Sequence, residues 1–301
     1  MSGRGRIIIP IATKPCTELS PTRRRAPFAD KATNLGPVFV DMTSTMIPVS
    51  YKDIQLNIAA RYRRRSGDLI FFIHGLGCAK EHFDDAWNVD ALNEYSIVAF
   101  DLPGFGESPG HENFSYDLQD HAEVCRQVID RMPDVRVHIV GHSMGGAVGL
   151  LLSDMIRARV ESFVNVEGNL ISQAGNVSRR NASATFEEFQ NKRLPGMIFV
   201  TAISNEPGMK LWSDCIKRSD KKGLYLSSKS LAEWSSTGIL LEKFMELSCR
   251  KIYVYGESNS YLKVLRLLDG IPTARISKSG HFPMNDNPVE FYSTIADFLV
   301  R

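Results

Sequence analysis

Ser143 stands in the run Gly141-His142-Ser143-Met144-Gly145-Gly146, directly after the apolar segment Arg136-Val137-His138-Ile139-Val140. A serine with glycine two residues away on each side is the G-x-S-x-G nucleophile elbow, which holds a hydroxyl at the tip of a sharp strand-to-helix turn for covalent attack. The spacing has a mechanical cause. The backbone at such a turn is strained and the strand and helix pass very close, so Gly141 and Gly145 supply the room that side chains would occupy. On the far side, Ala147-Val148-Gly149-Leu150-Leu151-Leu152 reads as a buried helix whose N-terminus points toward the serine.

The elements that must position this serine follow from the apolar pattern. Pro37–Met42 and Ile54–Ala60 alternate as two antiparallel strands, and Leu69-Ile70-Phe71-Phe72-Ile73 is a continuous apolar run, as expected of a strand covered on both faces. A helix is predicted over Lys80–Leu92. A buried strand follows at Tyr95–Phe100, then a helix over Ser115–Met132, the elbow strand and its helix, and a strand at Ser162–Val166 that ends in Glu167. Strands alternating with helices at this interval imply parallel crossover units and a mostly parallel, doubly wound α/β sheet. Such sheets place ligands at the carboxyl ends of their strands, which singles out His74–Gly77, Asp101–Ser108, Ser143 and Glu167.

From residue 168 to 249 the strand rhythm stops. Helices are predicted at Thr185–Lys192, Met209–Lys217 and Ser228–Leu247, with Pro195-Gly196, Pro207-Gly208 and Lys221-Lys222-Gly223 as separators, so this stretch reads as an inserted helical cap. The sheet resumes at Lys251–Gly256 and Thr273–Ser277, and a proline-started amphipathic helix spans Pro288–Val300. The expected organisation is a core of 37–167 and 250–301, the cap 168–249, and a basic N-terminal extension 1–36.

The 301 residues, 43% of them hydrophobic, suffice for a substantial core. No stretch approaches the roughly 18 to 20 consecutive apolar residues of a membrane span, and Ile7–Ala12 is too short and proline-broken for a signal-peptide core. Five widely spaced cysteines (Cys16, Cys78, Cys125, Cys215, Cys249), with no C-x-x-C pair, argue against a disulfide framework and a zinc site. A cytoplasmic protein without metal or cofactor is expected. The net charge of +2 hides an uneven distribution: residues 1–36, with Arg23-Arg24-Arg25, carry +5, so the remainder is mildly acidic and nothing marks a nucleic-acid surface.

Over roughly residues 37 to 301 the chain resembles the α/β-hydrolase fold superfamily, through His74-Gly75-Leu76-Gly77, Asp101-Leu102-Pro103-Gly104-Phe105-Gly106-Glu107-Ser108, the elbow, and Ser279-Gly280-His281-Phe282-Pro283-Met284-Asn285-Asp286-Asn287-Pro288. The resemblance implies the α/β-hydrolase fold, with Ser143 as nucleophile and His281 as its base. A serine hydroxyl is a poor nucleophile near neutral pH and needs a base within hydrogen-bond reach. An oxyanion hole is implied at the backbone N–H groups of Leu76 and Met144. His74 is read as bracing its loop, His142 as a packing neighbour, and Asp101 as pinning its own turn.

The sequence departs from the family pattern at the third member. Most relatives carry an acid in a segment resembling Gly-Glu-x-Asp, and here it reads Gly256-Glu257-Ser258-Asn259. A neutral amide cannot stabilise an imidazolium. Three readings stand: Glu167, at the end of the strand after the elbow; Glu257; or no acid at all. Glu167 is favoured, because a carboxylate ending a buried strand has little reason to exist without a partner.

A serine at the elbow implies acyl-enzyme chemistry on a small-molecule carboxylic ester, thioester or lactone. A C–C bond hydrolase, perhydrolase or acyltransferase shares these motifs, and a ligand-binding receptor or weakened scaffold is the non-enzyme reading. Phe186, Met209, Trp212 and Trp234, with Phe189, Met197 and Phe199, are the expected walls of a pocket for an apolar acyl group.

Overall fold

In the computed structural model, which describes residues 42–65, 67–132, 135–172 and 177–300, eight strands form one sheet. In chain order these are β1 (Thr43–Tyr51), β2 (Ile54–Arg63), β3 (Leu69–Ile73), β4 (Ser96–Phe100), β5 (Val137–His142), β6 (Val160–Val166), β7 (Arg250–Gly256) and β8 (Thr273–Ile276). Their spatial order is β1-β2-β4-β3-β5-β6-β7-β8. β1 and β2 pair antiparallel, as do β2 and β4, and every other pair is parallel.

The central strands β3, β4 and β5 are buried at every residue, the consequence of near-continuous apolar sequence covered on both faces. The helices are α1 (Leu118–Ile129), α2 (Met144–Met155), α3 (Val177–Ala182), α4 (Phe186–Glu188), α5 (Leu194–Ala202), α6 (Pro207–Arg218), α7 (Lys221–Ser236), α8 (Ile239–Glu246), α9 (Pro283–Asp286) and α10 (Pro288–Val300). Six of them, α3 to α8, lie in sequence between β6 and β7.

Strand register builds the site. Ile73 pairs with Gly141, Gly141 with Asn165, His142 with Val166, and Val166 with Val254. The residues that follow β3, β5, β6 and β7 therefore emerge together at one edge of the sheet.

Several elements differ from the sequence reading. The predicted strand Pro37–Met42 falls almost wholly outside the described residues, and its described residue, Met42, is not in a strand. The observed first strand, Thr43–Tyr51, opens on polar Thr43-Ser44-Thr45 and holds Pro48, composition suited to an exposed sheet edge; only in its second half do Ile47, Val49 and Tyr51 turn alternate residues inward. The basic extension 1–36 also lies outside the described residues. Lys80–Leu92 is not one α-helix but two 3-10 runs, Lys80–Asn88 and Asp90–Leu92, because Phe83 and Val89 leave helical dihedrals.

Pro195-Gly196 does not separate helices. Pro195 sits in the first turn of α5, where its missing N–H costs nothing, and a π-turn over Phe189–Arg193 joins α4 to α5. Lys221-Lys222-Gly223 opens α7, because the Asp220 carboxylate caps it by accepting from the Gly223 N–H at 2.6 Å. The predicted helix Ser228–Leu247 breaks at Gly238, whose φ of +81° only glycine adopts readily.

Candidate active site

Ser143 occupies the turn between β5 and α2 with φ 52° and ψ −116°, a conformation rare for a residue with a side chain. Its neighbours explain how the turn closes. A Cβ on Gly145 would lie 2.1 Å from the Ile73 carbonyl oxygen, and one on Gly141 would lie 2.5 Å from the Gly145 carbonyl oxygen. The His74–Gly77 loop runs against the same turn: a Cβ on Gly75 would approach His142 Nδ1 to 2.9 Å and Ser143 Cβ to 3.1 Å.

Glu167, at the end of β6, repeats the pattern with φ 47° and is 6% exposed. Each carboxylate oxygen is held. Oε1 accepts from the Gly256 N–H at 2.9 Å and from Asn259 Nδ2 at 2.9 Å; Oε2 accepts from Asn259 Nδ2 at 2.8 Å and pairs with His281 Nδ1 at 2.7 Å. Asn259 therefore stands where relatives are expected to carry an acid and donates to an acid that sits on another strand. An aspartate there would face Glu167 with a second negative charge, so asparagine at 259 and glutamate at 167 form a matched pair.

His281 follows β8 on a loop drawn tight against β7: a Cβ on Gly256 would strike the Gly280 carbonyl oxygen at 2.0 Å. The Gly280 N–H donates to Asp286 Oδ2 at 3.0 Å, and the other oxygen of Asp286 accepts from the Gly208 N–H at 3.0 Å. Asp286 thus ties the His281 loop to the first turn of α6. The His281 carbonyl accepts from His142 Nε2 at 2.9 Å, and the two imidazole rings lie 4.8 Å apart. Burial, reinforced by the nearby His281, pushes the His142 imidazole well below its ordinary pKa. It is a neutral donor that holds the His281 backbone.

The loop after β3 is braced from two sides. His74 Nε2 accepts from the Leu102 N–H at 2.9 Å while its Nδ1 faces the Gly75 carbonyl at 2.8 Å. Trp212 Nε1 donates to the Leu76 carbonyl at 2.9 Å. Among the described residues no acceptor takes the Leu76 N–H, and the Met144 N–H, first in α2, has no intrahelical partner. Asp101 is fully buried and binds Lys80 Nζ at 2.6 Å and the Glu107 N–H at 2.8 Å, closing its own turn.

Ser143, His281, Glu167 and Leu76 line one cavity of about 460 Å³, together with Met209 and Trp212. The Ser143 hydroxyl donates to Asn169 Oδ1 at 3.3 Å rather than to His281. Sequence reasoning missed Asn169, whose contact with Ser143 spans 26 residues, and gave no role to Asp286, which lies in the motif around His281 but reaches Gly208 across 78 residues.

Six expected site residues, Glu257, Phe186, Trp234, Phe189, Met197 and Phe199, do not line this cavity. Glu257 is exposed, accepts from the Lys278 N–H at 2.9 Å and pairs with Arg275 at 3.3 Å, so its carboxylate is turned to the outer face of the β7 and β8 loops. Phe186 is 38% exposed and packs on Phe189 and Tyr225; Trp234 is half-buried against the core. Their helical spacing serves packing between helices. Phe189 is fully buried and Phe199 exposed, away from the cavity.

Among the described residues no cluster of His, Cys, Asp and Glu is placed to hold a metal, no helix is long and apolar enough to cross a membrane, and Cys78, Cys125, Cys215 and Cys249 are free thiols.

Comparison with known proteins agrees with this architecture. The chain is 23% identical over 242 residues to a putative esterase/lipase of Mycoplasma pneumoniae, covering 76% of this chain and 87% of that one. The crystal structure of a thermophilic esterase from Thermogutta terrifontis superposes with a TM-score of 0.70 at 16% identity, covering 86% of this chain and 98% of the other. An N-acyl homoserine lactonase bound to N-hexanoyl homoserine superposes with a TM-score of 0.68 at 16% identity, covering 85% and 96%. Residues 70–294 match the family model described as the alpha/beta hydrolase family, and the chain belongs to that family.

Proposed function

We propose that the protein is a serine hydrolase that cleaves a carboxylic ester, thioester or lactone through an acyl-enzyme on Ser143. The observation that carries this reading is the 2.7 Å contact of Glu167 Oε2 with His281 Nδ1. It holds the proton on Nδ1 and leaves Nε2 of a ring lining the same cavity as Ser143 free to accept one. The Ser143 hydroxyl turns from Asn169 to His281, gives up its proton to Nε2, and Oγ bonds the acyl carbon. The negative charge moves to the carbonyl oxygen, where the N–H groups of Leu76 and Met144 meet it.

The imidazolium is stabilised by Glu167, and its proton passes to the departing alcohol, thiol or lactone oxygen as the acyl–heteroatom bond breaks. Water then enters and loses a proton to His281 as its oxygen bonds the acyl carbon; the acyl–Oγ bond breaks, Ser143 Oγ takes the proton back from His281, and the acid leaves. The Gly256 N–H and Asn259 amide hold Glu167 in the orientation that serves the ring. The helices α3 to α8 act as the cap, and Met209 and Trp212 form an apolar wall for the acyl group. The free thiols are in keeping with a reducing, cytoplasmic setting.

The test is turnover of a short p-nitrophenyl ester with fluorophosphonate labelling. Both are expected in the native chain and absent in Ser143→Ala. Background turnover with Ser143 unlabelled overturns the reading in favour of a ligand-binding receptor.

A further inference from the structure

Arg180 is an exposed residue of α3 whose side chain has no ion pair among the described residues. It lines the 460 Å³ cavity that holds Ser143 and His281, and it also lines a second cavity of about 370 Å³. The two share Val177, Arg180, Met209 and Trp212 as a common wall. The second cavity is walled by apolar groups such as Met197 and Val200, and its charged lining consists of Arg180, Lys192 and Arg193. Among the described residues no carboxylate lines it.

The nearest acid by sequence, Glu188, is engaged at the start of α4, where it accepts from the Thr185 N–H at 3.0 Å. In the first cavity the carboxylate is Glu167, already held by His281, Gly256 and Asn259. Three cations therefore border an apolar chamber that adjoins the nucleophile, and two of them, Lys192 and Arg193, share the exposed Glu188 as a nearby acid. Beside the Thr185 hydrogen bonds, Lys192, one helical turn after Glu188, and Arg193 draw the Glu188 pKa down, so Arg180, which makes no ion pair among the described residues and lines both cavities, is the cation best placed to meet a ligand.

We propose that the substrate carries a second, anionic group, separated from the scissile carbonyl by an apolar spacer: the spacer crosses the wall between the cavities, and Arg180, with Lys192 and Arg193, receives the anion. The inference rests on the ester-hydrolase reading of Ser143. Guanidinium suits a carboxylate or phosphate because its N–H groups match two oxygens at once.

The experiment compares kcat/KM for length-matched pairs that differ in a terminal carboxylate. One pair places the charge on the acyl side, mono-p-nitrophenyl suberate against p-nitrophenyl octanoate. The other places it on the alcohol side, 8-acetoxyoctanoate against octyl acetate. In at least one pair the anion is expected to be favoured about tenfold at low salt, and less than about threefold at about 0.5 M salt. Arg180→Gln should reduce that ratio by about fivefold or more, chiefly through KM, whereas Lys263→Gln, far along the chain in the β7–β8 connection, should leave it unchanged.

Thermal stabilisation by free suberate, present in the native chain and lost in Arg180→Gln, reads the anion site without turnover. Equal or better turnover of the neutral member in both pairs overturns the proposal while the hydrolase reading stands. Suberate stabilisation with no ester turnover and no labelling of Ser143 does the reverse. A change of Tm in Arg180→Gln with the substrate ratio intact assigns Arg180 to structure alone and also overturns it.

Discussion

At the end of β5 a methyl group added to Gly145 would lie 2.1 Å from the Ile73 carbonyl oxygen, whereas one added to Gly196, in α5, meets nothing within 4 Å. The contrast extends to the regions around them. Along the carboxyl edge of the sheet, Ser143 and Glu167 both hold left-handed backbone conformations, and Gly75, Gly141 and Gly256 all face backbone or ring atoms at short range. In the helices between β6 and β7, Phe199, Val200 and Ile203 are each at least 60% exposed, and Phe186 and Trp234 pack against neighbouring helices without reaching the cavity. Backbone geometry leaves the first region no substitutes. The second is held by side-chain packing, which many sequences can satisfy, so it can vary in sequence while the backbone around Ser143 and Glu167 stays in place.

Gly145→Ala attacks this contrast where it is sharpest. It should cost about 3 kcal/mol or more in urea unfolding, or prevent folding, while Gly196→Ala should be neutral to stabilising because it sits in a helix with open space. Equal effects at the two positions would break the comparison.

Glu167→Gln should lower kcat/KM about 10³-fold on a p-nitrophenyl ester, because the amide no longer stabilises the imidazolium, and Glu257→Gln should stay within about twofold. The opposite ranking would move the acid to the outer loop. Asn259→Asp sharpens the point within the edge. It places a second carboxylate about 2.8 Å from Glu167 Oε2, so the pair retains a proton to higher pH. Activity near pH 7 should fall about 10²-fold and the acid limb of the pH–rate profile should move upward; an unchanged profile would mean that the Asn259 contact does not matter to the acid.

The smallest expected effect is on stability, at a junction of the two regions. His121 of α1 is fully buried, contacts Ser227 Oγ of α7 at 3.0 Å, and is ringed by Phe105, Phe114 and Tyr116. Burial pulls its pKa down from 6.5 to about 3. Between those values the unfolded chain binds a proton that the folded chain refuses, so stability is complete above about pH 6.5 and is lost as pH falls toward 3. At pH 5 the loss from this residue is about 2 kcal/mol. His121→Phe, which keeps an aromatic ring in the cluster, should flatten the fall in Tm between pH 7 and pH 5, and an unaltered slope would show that His121 carries no proton linkage.

The elements that bear the reacting groups were legible because local backbone demands leave a local signature. The continuous apolar run Leu69–Ile73, and Val137–Val140, apolar but for His138, read as buried strands, and Gly141 and Gly145 flank the serine at a spacing that a strained turn requires. The helical stretch was read less well. Its boundaries depend on a cap at Asp220 and a break at Gly238, and Thr43–Tyr51 is a strand only because β2 offers it an edge.

By itself the sequence determined the alternation of strands and helices, the elbow that presents Ser143, and the chain order of Ser143, Glu167 and His281. The first two are written in apolar periodicity and in glycine spacing within about ten residues; the third rests on the resemblance to the α/β-hydrolase superfamily, which implies His281 as the base. Tertiary structure alone decided that Asn259 donates to Glu167 across 92 residues, that Trp212 grips the Leu76 carbonyl across 136, and that Phe186 and Trp234 do not line the cavity. The physical reason is one of range: hydrogen bonds and packing between segments depend on strand register and helix docking, which no stretch of neighbouring residues encodes.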